Sequence, residues 1–451
     1  MSHKWYVILV SLLLIFFITT GCLGSKQQTS NQNSASNQKL GNNEVILRIA
    51  SAETAPDSMK VLEEVGKEYE QKFGVKVIAE AIPLADIYTK VSTTVNTSSQ
   101  YDIMLTGFPG HISLLQQQGL LEPMDEIVES LGGRNDFFET TWTLIDDKMY
   151  WIPYDVNLAF GYIRKDWLVE KGLSVPKNWE EFVNVADAFT DKSQNKYGLM
   201  LPIKSDSSTN FLSTGPLWSN DVKIFDDQWN VILDSPEMKP KVIDTLNLLK
   251  ELTPYMPAEA EKASYAEMIA AFTSGQVGMA FYSGRLVDNI ESKAPDLTNK
   301  FELFGYPTKD GDGSAVNYAT DGIAVLKSPQ SAEALKFVQW FFKEKLVEFL
   351  WTSPVQFFPA QESIYQSDEW RSHPQIQKYW EIGVEPQYHL LKNAKLNAID
   401  IDGPHTDVKQ GIVFESYIVP KMYQRVIINN EDPSIVVDEA AKEIREMIKG
   451  K

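Results

Sequence analysis

The chain has one cysteine in 451 residues, Cys22, so no internal disulfide can form. Bases are the minority: 42 Lys and Arg stand against 61 Asp and Glu, a net charge of −19. Nucleic-acid binding needs a basic face that displaces counterions from phosphates, and this composition argues against it. The acidity suits a protein that handles neutral or cationic ligands. The five histidines, at 3, 111, 373, 389 and 405, are scattered, with no HExxH and no close pair. A zinc or iron–sulfur centre therefore lacks a ligand set, and no metal is expected. No GxSxG elbow, Cys–His nucleophile pair, GxxxxGK[ST] loop or GxGxxG fingerprint is present, and no cofactor is expected. Asp310–Gly311–Asp312–Gly313 lacks the downstream bidentate acid of a calcium loop and reads as a solvated turn. Acids are numerous enough to pair somewhere, so carboxylates arranged for glycoside hydrolysis remain open.

Long apolar runs are missing too. Val7–Ile18 is twelve residues, apolar except Ser11, and too short to span a bilayer comfortably. With Lys4 before it and Thr19–Thr20–Gly21 after it, residues 1–21 read as a secretory signal. The end of that signal, Gly21–Cys22, resembles a lipobox, in which the cysteine is lipidated and becomes the mature N-terminus. Thr19 departs from that pattern, which usually has Leu, Val or Ile there; a plain signal peptide or an uncleaved anchor is the alternative. Residues 22–43 are rich in Ser, Asn and Gln and cannot bury enough surface to offset their ordering entropy. They read as a tether from a lipid anchor to a folded domain.

What is there, from residue 44 onward, is globular. Hydrophobic residues make up 43% of the chain and aromatics 11%. Val45–Ala50, Val75–Ile82 and Tyr101–Leu105 read as buried strands. Ser58–Phe73 sets Leu62, Val65, Tyr69 and Phe73 on one helical face, with Gly74 as the stop. His111–Gly119 reads as a helix. Asn178 is placed to cap a helix with Glu181 as its third residue, and Trp179, Phe182, Val183, Ala186 and Phe189 form its apolar face. Ser331–Leu350 and Pro433–Lys449 carry similar stripes. The β-α-β-α order predicts an α/β fold with a largely parallel sheet.

Several segments then match a known pattern in order: GVKVIAEAIPLADIYTKV (74–91), YDIMLTG (101–107), LLQQQGLLEPMDEIV (114–128), MYWIPYDVNLAFGYIRKDWLVEKGL (149–173), PKNWEEFVNVA (176–186), SGQVGMAFYSGRL (274–286), DGIAVLKSPQSAEALKFVQWF (321–341) and PVQFFPAQES (354–363). Together they resemble the family 1 extracellular solute-binding proteins, the maltose- and oligosaccharide-binding receptors of ABC importers. The resemblance implies a two-lobe periplasmic-binding-protein-like α/β fold with three hinge crossings and an interlobe ligand cleft. It puts the crossings near Pro153–Tyr154, Gly305–Tyr306–Pro307 and Pro354–Phe358. One lobe would hold 44–153 plus 308–353, and the other 154–306 plus 359–451.

Ligands in open α/β sheets lie beyond the carboxyl ends of strands, and a sugar needs polar groups for its hydroxyls and flat rings for its C–H faces. Glu53, Asp155 and Asn157 are the polar candidates. Phe108, Tyr154, Trp218, Tyr282, Tyr318 and Trp351 are the aromatic ones. Tyr282–Ser283–Gly284–Arg285 matches a cleft loop of the family, but Leu286 stands where a tryptophan is usual, and Arg285 would bring a hydrogen-bonding fork instead. The expected function is non-catalytic: a lipid-anchored monomer on the outer face of the membrane that delivers a sugar to ABC permease subunits. A surface glycoside hydrolase, or a receptor or adhesin without transport, are the alternatives.

Overall fold

The computed structural model describes residues 45–451. The expected signal, Cys22 and the tether lie outside the described residues. Among those described, no helix is long and apolar enough to cross a membrane.

Two large sheets organise the chain. The first has five strands in the order Lys76–Ala81, Ile46–Ser51, Ile103–Thr106, Gly322–Val325, Ile152–Pro153. Its first three strands are mutually parallel, and Gly322–Val325 runs antiparallel to both of its neighbours. The helix Pro56–Phe73 covers this sheet with Leu62, Val65 and Tyr69 and ends at Gly74, whose φ of 72° is the left-handed conformation a glycine adopts without strain. Phe73, expected on the buried face, is 52% exposed and instead packs its ring edge on Tyr69 and Trp340.

The second sheet has eight strands, built around Asp155–Arg164, a ten-residue strand with every residue buried. Val277–Tyr282, Phe301–Phe304, Ser314–Ala319 and Phe358–Pro359 all pair with it antiparallel. The expectation of a largely parallel sheet therefore holds for the first sheet and fails for the second. Its strands return by hairpins and long loops, and only Tyr197–Met200 with Val277–Tyr282 and Ser314–Ala319 with Lys395–Asn397 pair in parallel. Asn178 caps the helix Trp179–Phe189 through its side chain, which accepts from the Glu181 backbone N–H at 2.8 Å. The apolar stretch 331–350 is two helices, Ser331–Glu344 and Leu346–Leu350, broken at Lys345. Asp310–Gly313 lies in the turn that joins Tyr306–Pro307 to Ser314–Ala319.

The chain passes between the sheets at three places that touch. Tyr154 separates Ile152–Pro153 from Asp155–Arg164. Thr320 and Asp321 separate Ser314–Ala319 from Gly322–Val325. The third passage precedes Phe358–Pro359, and the Ala360 N–H donates to the Tyr154 carbonyl at 3.1 Å. The second passage thus differs from the expected Gly305–Tyr306–Pro307. Those residues pair within the second sheet because Tyr306 and Pro307 oppose Ala315 and Ser314.

Candidate functional site

A cavity of about 570 Å³ opens where the strand ends of both sheets face each other. From the first sheet come the loop after Ile46–Ser51 (Ala52, Glu53, Thr54) and the end of Ile103–Thr106 with Gly107 and Phe108. From the second come Asn157, Ala319, Tyr282, Ser283 and Arg285. Tyr154, Asp321 and Gln356 line it from the three passages. Lys204, Asp206, Ser207 and Phe211, and Ser264 with Tyr265, close the remaining side.

Glu53 is held by its own loop. Its carbonyl accepts from the Ser51 hydroxyl at 2.8 Å, and its Oε1 accepts from the Ala55 N–H at 3.4 Å. Across the cavity Arg285 Nη2 donates to Glu53 Oε2 at 2.8 Å, while Nε donates to Gln356 Oε1. Glu53 keeps only 10% of its side chain exposed, and Arg285 26%. In a pair this shielded each charge relies on the other for compensation, so removing one partner alone leaves a buried charge unpaired.

Beside it the first two passages are stitched together. The Tyr154 N–H donates to the Asp321 carbonyl at 2.8 Å, and the Asp321 N–H donates to Asp155 Oδ1 at 2.9 Å. Asn157 Nδ2 donates to Asp321 Oδ2 at 3.4 Å. Asp155 Oδ2 and Asn157 Oδ1 are buried without a protein partner. Burial, together with the nearby Glu53 charge, pushes the Asp321 carboxyl up to about 7. Burial and the neighbouring Asp321 push Asp155 well above the usual carboxylate range. Two carboxyls this close cannot both ionise cheaply, so the pair retains a proton near neutrality.

Two helices meet at the cavity's edge. Pro109–Gln117 follows the first sheet's third strand, and Val408–Ser416 packs with the second sheet's helices. A Cβ on Gly411 would lie 2.6 Å from the Gly110 carbonyl oxygen, so the helices approach this closely only because both residues are glycine. His111 bridges the contact, with Nδ1 2.9 Å from the Thr106 hydroxyl and Nε2 2.9 Å from Glu415 Oε1. The Gly110 N–H donates to Asp400 Oδ2 at 3.2 Å.

Glu53, Phe108, Tyr154, Asn157, Tyr282 and Arg285, six of the ten sequence candidates, are brought together on the cavity wall. Four are not. Asp155 sits one layer behind, wholly buried, where its Oδ1 accepts from the Asp321 N–H. Tyr318 lies on the opposite face of its strand from Ala319, which does line the cavity, as a period of two requires. Trp218 is buried with its Nε1 donating to Asn317 Oδ1 at 3.0 Å, a core role. Trp351 donates to the Trp370 carbonyl at 3.2 Å and packs on His373, away from the cavity. Asp321 and Gln356 fell inside the quoted segments but carried no local mark of their role. Lys204, Asp206 and Tyr265 lie in segments with no such signal at all.

Residues 52–347 match the bacterial extracellular solute-binding protein family. The chain belongs to that family. Among its curated relatives in this solute-binding family, a putative ABC transporter periplasmic-binding protein YcjN of Escherichia coli (strain K12) is 24% identical over 369 residues, covering 80% of this chain and 82% of its own. The polygalacturonan/rhamnogalacturonan-binding protein YtcQ of Bacillus subtilis (strain 168) is 23% identical, covering 76% and 70%. An ABC transporter solute-binding protein from Thermotoga lettingae TMO, solved with alpha-D-tagatose, shares the fold at a TM-score of 0.72. It is 18% identical and covers 90% of this chain and 100% of its own.

Proposed function

We propose that this solute-binding protein is the substrate-binding component of an ABC importer, capturing a sugar outside the cell and passing it to membrane permease subunits. One observation carries the reading: a single cavity takes its wall from the strand ends of two sheets, and mixes flat rings with hydrogen-bonding groups. Phe108, Tyr282, Tyr265 and Phe211 offer apolar faces, while Asn157, Asp321, Glu53 and Arg285 offer donors and acceptors. The names of the relatives support the transport role. The sheets are read as the cores of two lobes that hinge about Tyr154, Thr320–Asp321 and the stretch before Phe358, closing on ligand. No step of chemistry is assigned to the site. The output is the ligand-loaded form, which docks on the permease as a monomer held to the membrane through lipid on Cys22.

A thermal-shift screen over mono- and oligosaccharides, followed by calorimetry, tests this. A ligand present at 100 times its Kd should stabilise the protein by about 2.7 kcal/mol. Silence across the sugars, with amino acids or polyamines raising Tm instead, would falsify the sugar assignment.

A further inference from the structure

We infer that closure of the two sheets is tied to a proton: Asp400, seated on the Gly110 N–H across the seam at the cavity's edge, takes one from solvent when the seam shuts and returns it when the seam parts, so that ligand is held more tightly in mildly acidic surroundings. The inference rests on the hinge reading above and adds the proton to it as a second ligand. Four contacts make the seam. Phe108 and Phe414 lie with ring centroids 4.3 Å apart, Gly110 meets Gly411, His111 Nε2 is 2.9 Å from Glu415 Oε1, and the Gly110 N–H donates to Asp400 Oδ2 at 3.2 Å. Phe108, Gly110 and His111 follow the strand Ile103–Thr106 of the first sheet. Asp400 follows Lys395–Asn397, which pairs in the second sheet, and Gly411, Phe414 and Glu415 lie on the helix Val408–Ser416. None of these residues belongs to the three passages, so a rotation about the passages that opens the cavity pulls the seam apart.

Asp400 is 2% exposed, and the first sheet's helix supplies part of its cover: a Cβ on Gly110 would lie 3.2 Å from Asp400 Cβ. The titratable groups that face it come from three elements. His111 on Pro109–Gln117 favours the carboxylate, Glu415 on Val408–Ser416 opposes it, and Tyr318 comes from Ser314–Ala319. Tyr88 and Tyr417 stand near Glu415, and Asp206, beside Tyr417, is held by Lys204 at 3.0 Å. Burial outweighs the Gly110 hydrogen bond and the His111 ring and pushes the Asp400 carboxyl up to about 6. Once the seam parts, water reaches the carboxyl and its hold on the proton falls back toward the ordinary value of 3.8. A group that binds its proton more tightly in the closed form favours closure at low pH, and that advantage is lost as pH rises through about 6. For one group moving between these two values, ligand affinity should fall about tenfold from pH 5 to pH 7.

Carboxyl-detected NMR of the intact, aspartate-labelled protein reads this titration without any ligand, and Asp400→Asn identifies the signal. The expected midpoint is near 6, and it should drop by about half a pH unit or more in Gly411→Ala, whose methyl forces the two helices apart. Gly110→Ala serves the same purpose if Gly411→Ala does not fold. A midpoint near 3.8 in the parent overturns the inference, because no proton is then held near neutrality. A midpoint near 6 that stays put when the helices are pushed apart overturns it too, because the second sheet alone then buries the carboxyl. Calorimetry with maltose as the probe, in two buffers of different ionisation enthalpy, reads the linkage itself. Binding should weaken about tenfold from pH 5 to pH 7 and take up about half a proton at pH 6. Asp400→Asn keeps an acceptor for the Gly110 N–H and should abolish both effects, while Asp321→Asn should retain them. A maltose affinity that does not change with pH, or a dependence that survives Asp400→Asn and vanishes in Asp321→Asn, overturns the assignment to the seam. Failure of maltose and every other sugar to bind counts against the sugar-receptor reading alone, and the NMR titration then decides this one.

Discussion

Asp321 is the residue on which the cavity's electrostatics turn. Its carboxyl releases its proton near 3.8 when unperturbed and near 7 in the folded protein. Between those values the native state holds a proton that the unfolded chain has lost. The stability this group contributes is therefore complete below about 4 and is lost as pH rises through about 7. Asp321→Asn removes the titration, so its Tm should fall less than the parent's between pH 5 and 7.5 in a calorimetric scan. A parallel fall in both would show that Asp321 is not the group involved. His111 is the second informative residue, since it bonds to Thr106 and Glu415 from a buried position. His111→Ala should cost about 1–3 kcal/mol in urea unfolding, the penalty for leaving its buried partners unpaired. At this scale the sequence was a fair guide where position mattered and a poor one where only residue type was used. Glu53 and Phe108 were legible because the loops after buried strands are where ligands gather. Trp218, Tyr318 and Trp351 stand out in the sequence only as rings, and a ring's direction is set by strand pairing and by what its polar edge bonds to.

Helices and strands explain why the cavity has the walls it has. The contact of Pro109–Gln117 with Val408–Ser416 brings an element of the first sheet against one of the second, and it depends on Gly110 and Gly411. Gly411→Ala introduces a methyl 2.6 Å from the Gly110 carbonyl oxygen, so the two helices must move apart. Overpacking of this kind costs about 1–3 kcal/mol, which should appear as a roughly tenfold loss of ligand affinity with an unchanged far-UV circular dichroism spectrum. Unchanged affinity would mean that the helices part without affecting the binding form. The caps and stripes of single helices were readable locally, as Asn178 with Glu181 and Gly74 show. The break at Lys345 was not, because both halves of 331–350 carry good helix formers, and it is packing that turns the chain there.

Across the whole molecule, the three passages lie side by side and are joined by backbone hydrogen bonds around Tyr154. Motion about so compact an axis changes the distance between the sheets while leaving each sheet intact. Small-angle scattering should therefore show a smaller radius of gyration on saturation with a bound sugar. A radius that does not change on saturation would contradict hinge closure. The same juxtaposition gathers the carboxyl groups of residues 53, 206 and 321, distant in sequence, on one cavity wall, with Asp155 directly behind.

The sequence by itself determined the alternation of strands and helices, the family pattern and the strand-end loops that reach the ligand. Each of these is written in local periodicity or in motifs of fewer than thirty residues. Only the tertiary structure decided that the second sheet is mostly antiparallel, that the middle passage is at Thr320–Asp321, and that Asp321 faces Asn157. Those depend on which strand lies beside which, and pairing between residues more than a hundred and fifty positions apart leaves no periodic trace in either partner. The scarcity of free positive charge was visible in the composition; that the cavity's two cations are both already paired was not, because pairing is a matter of distance.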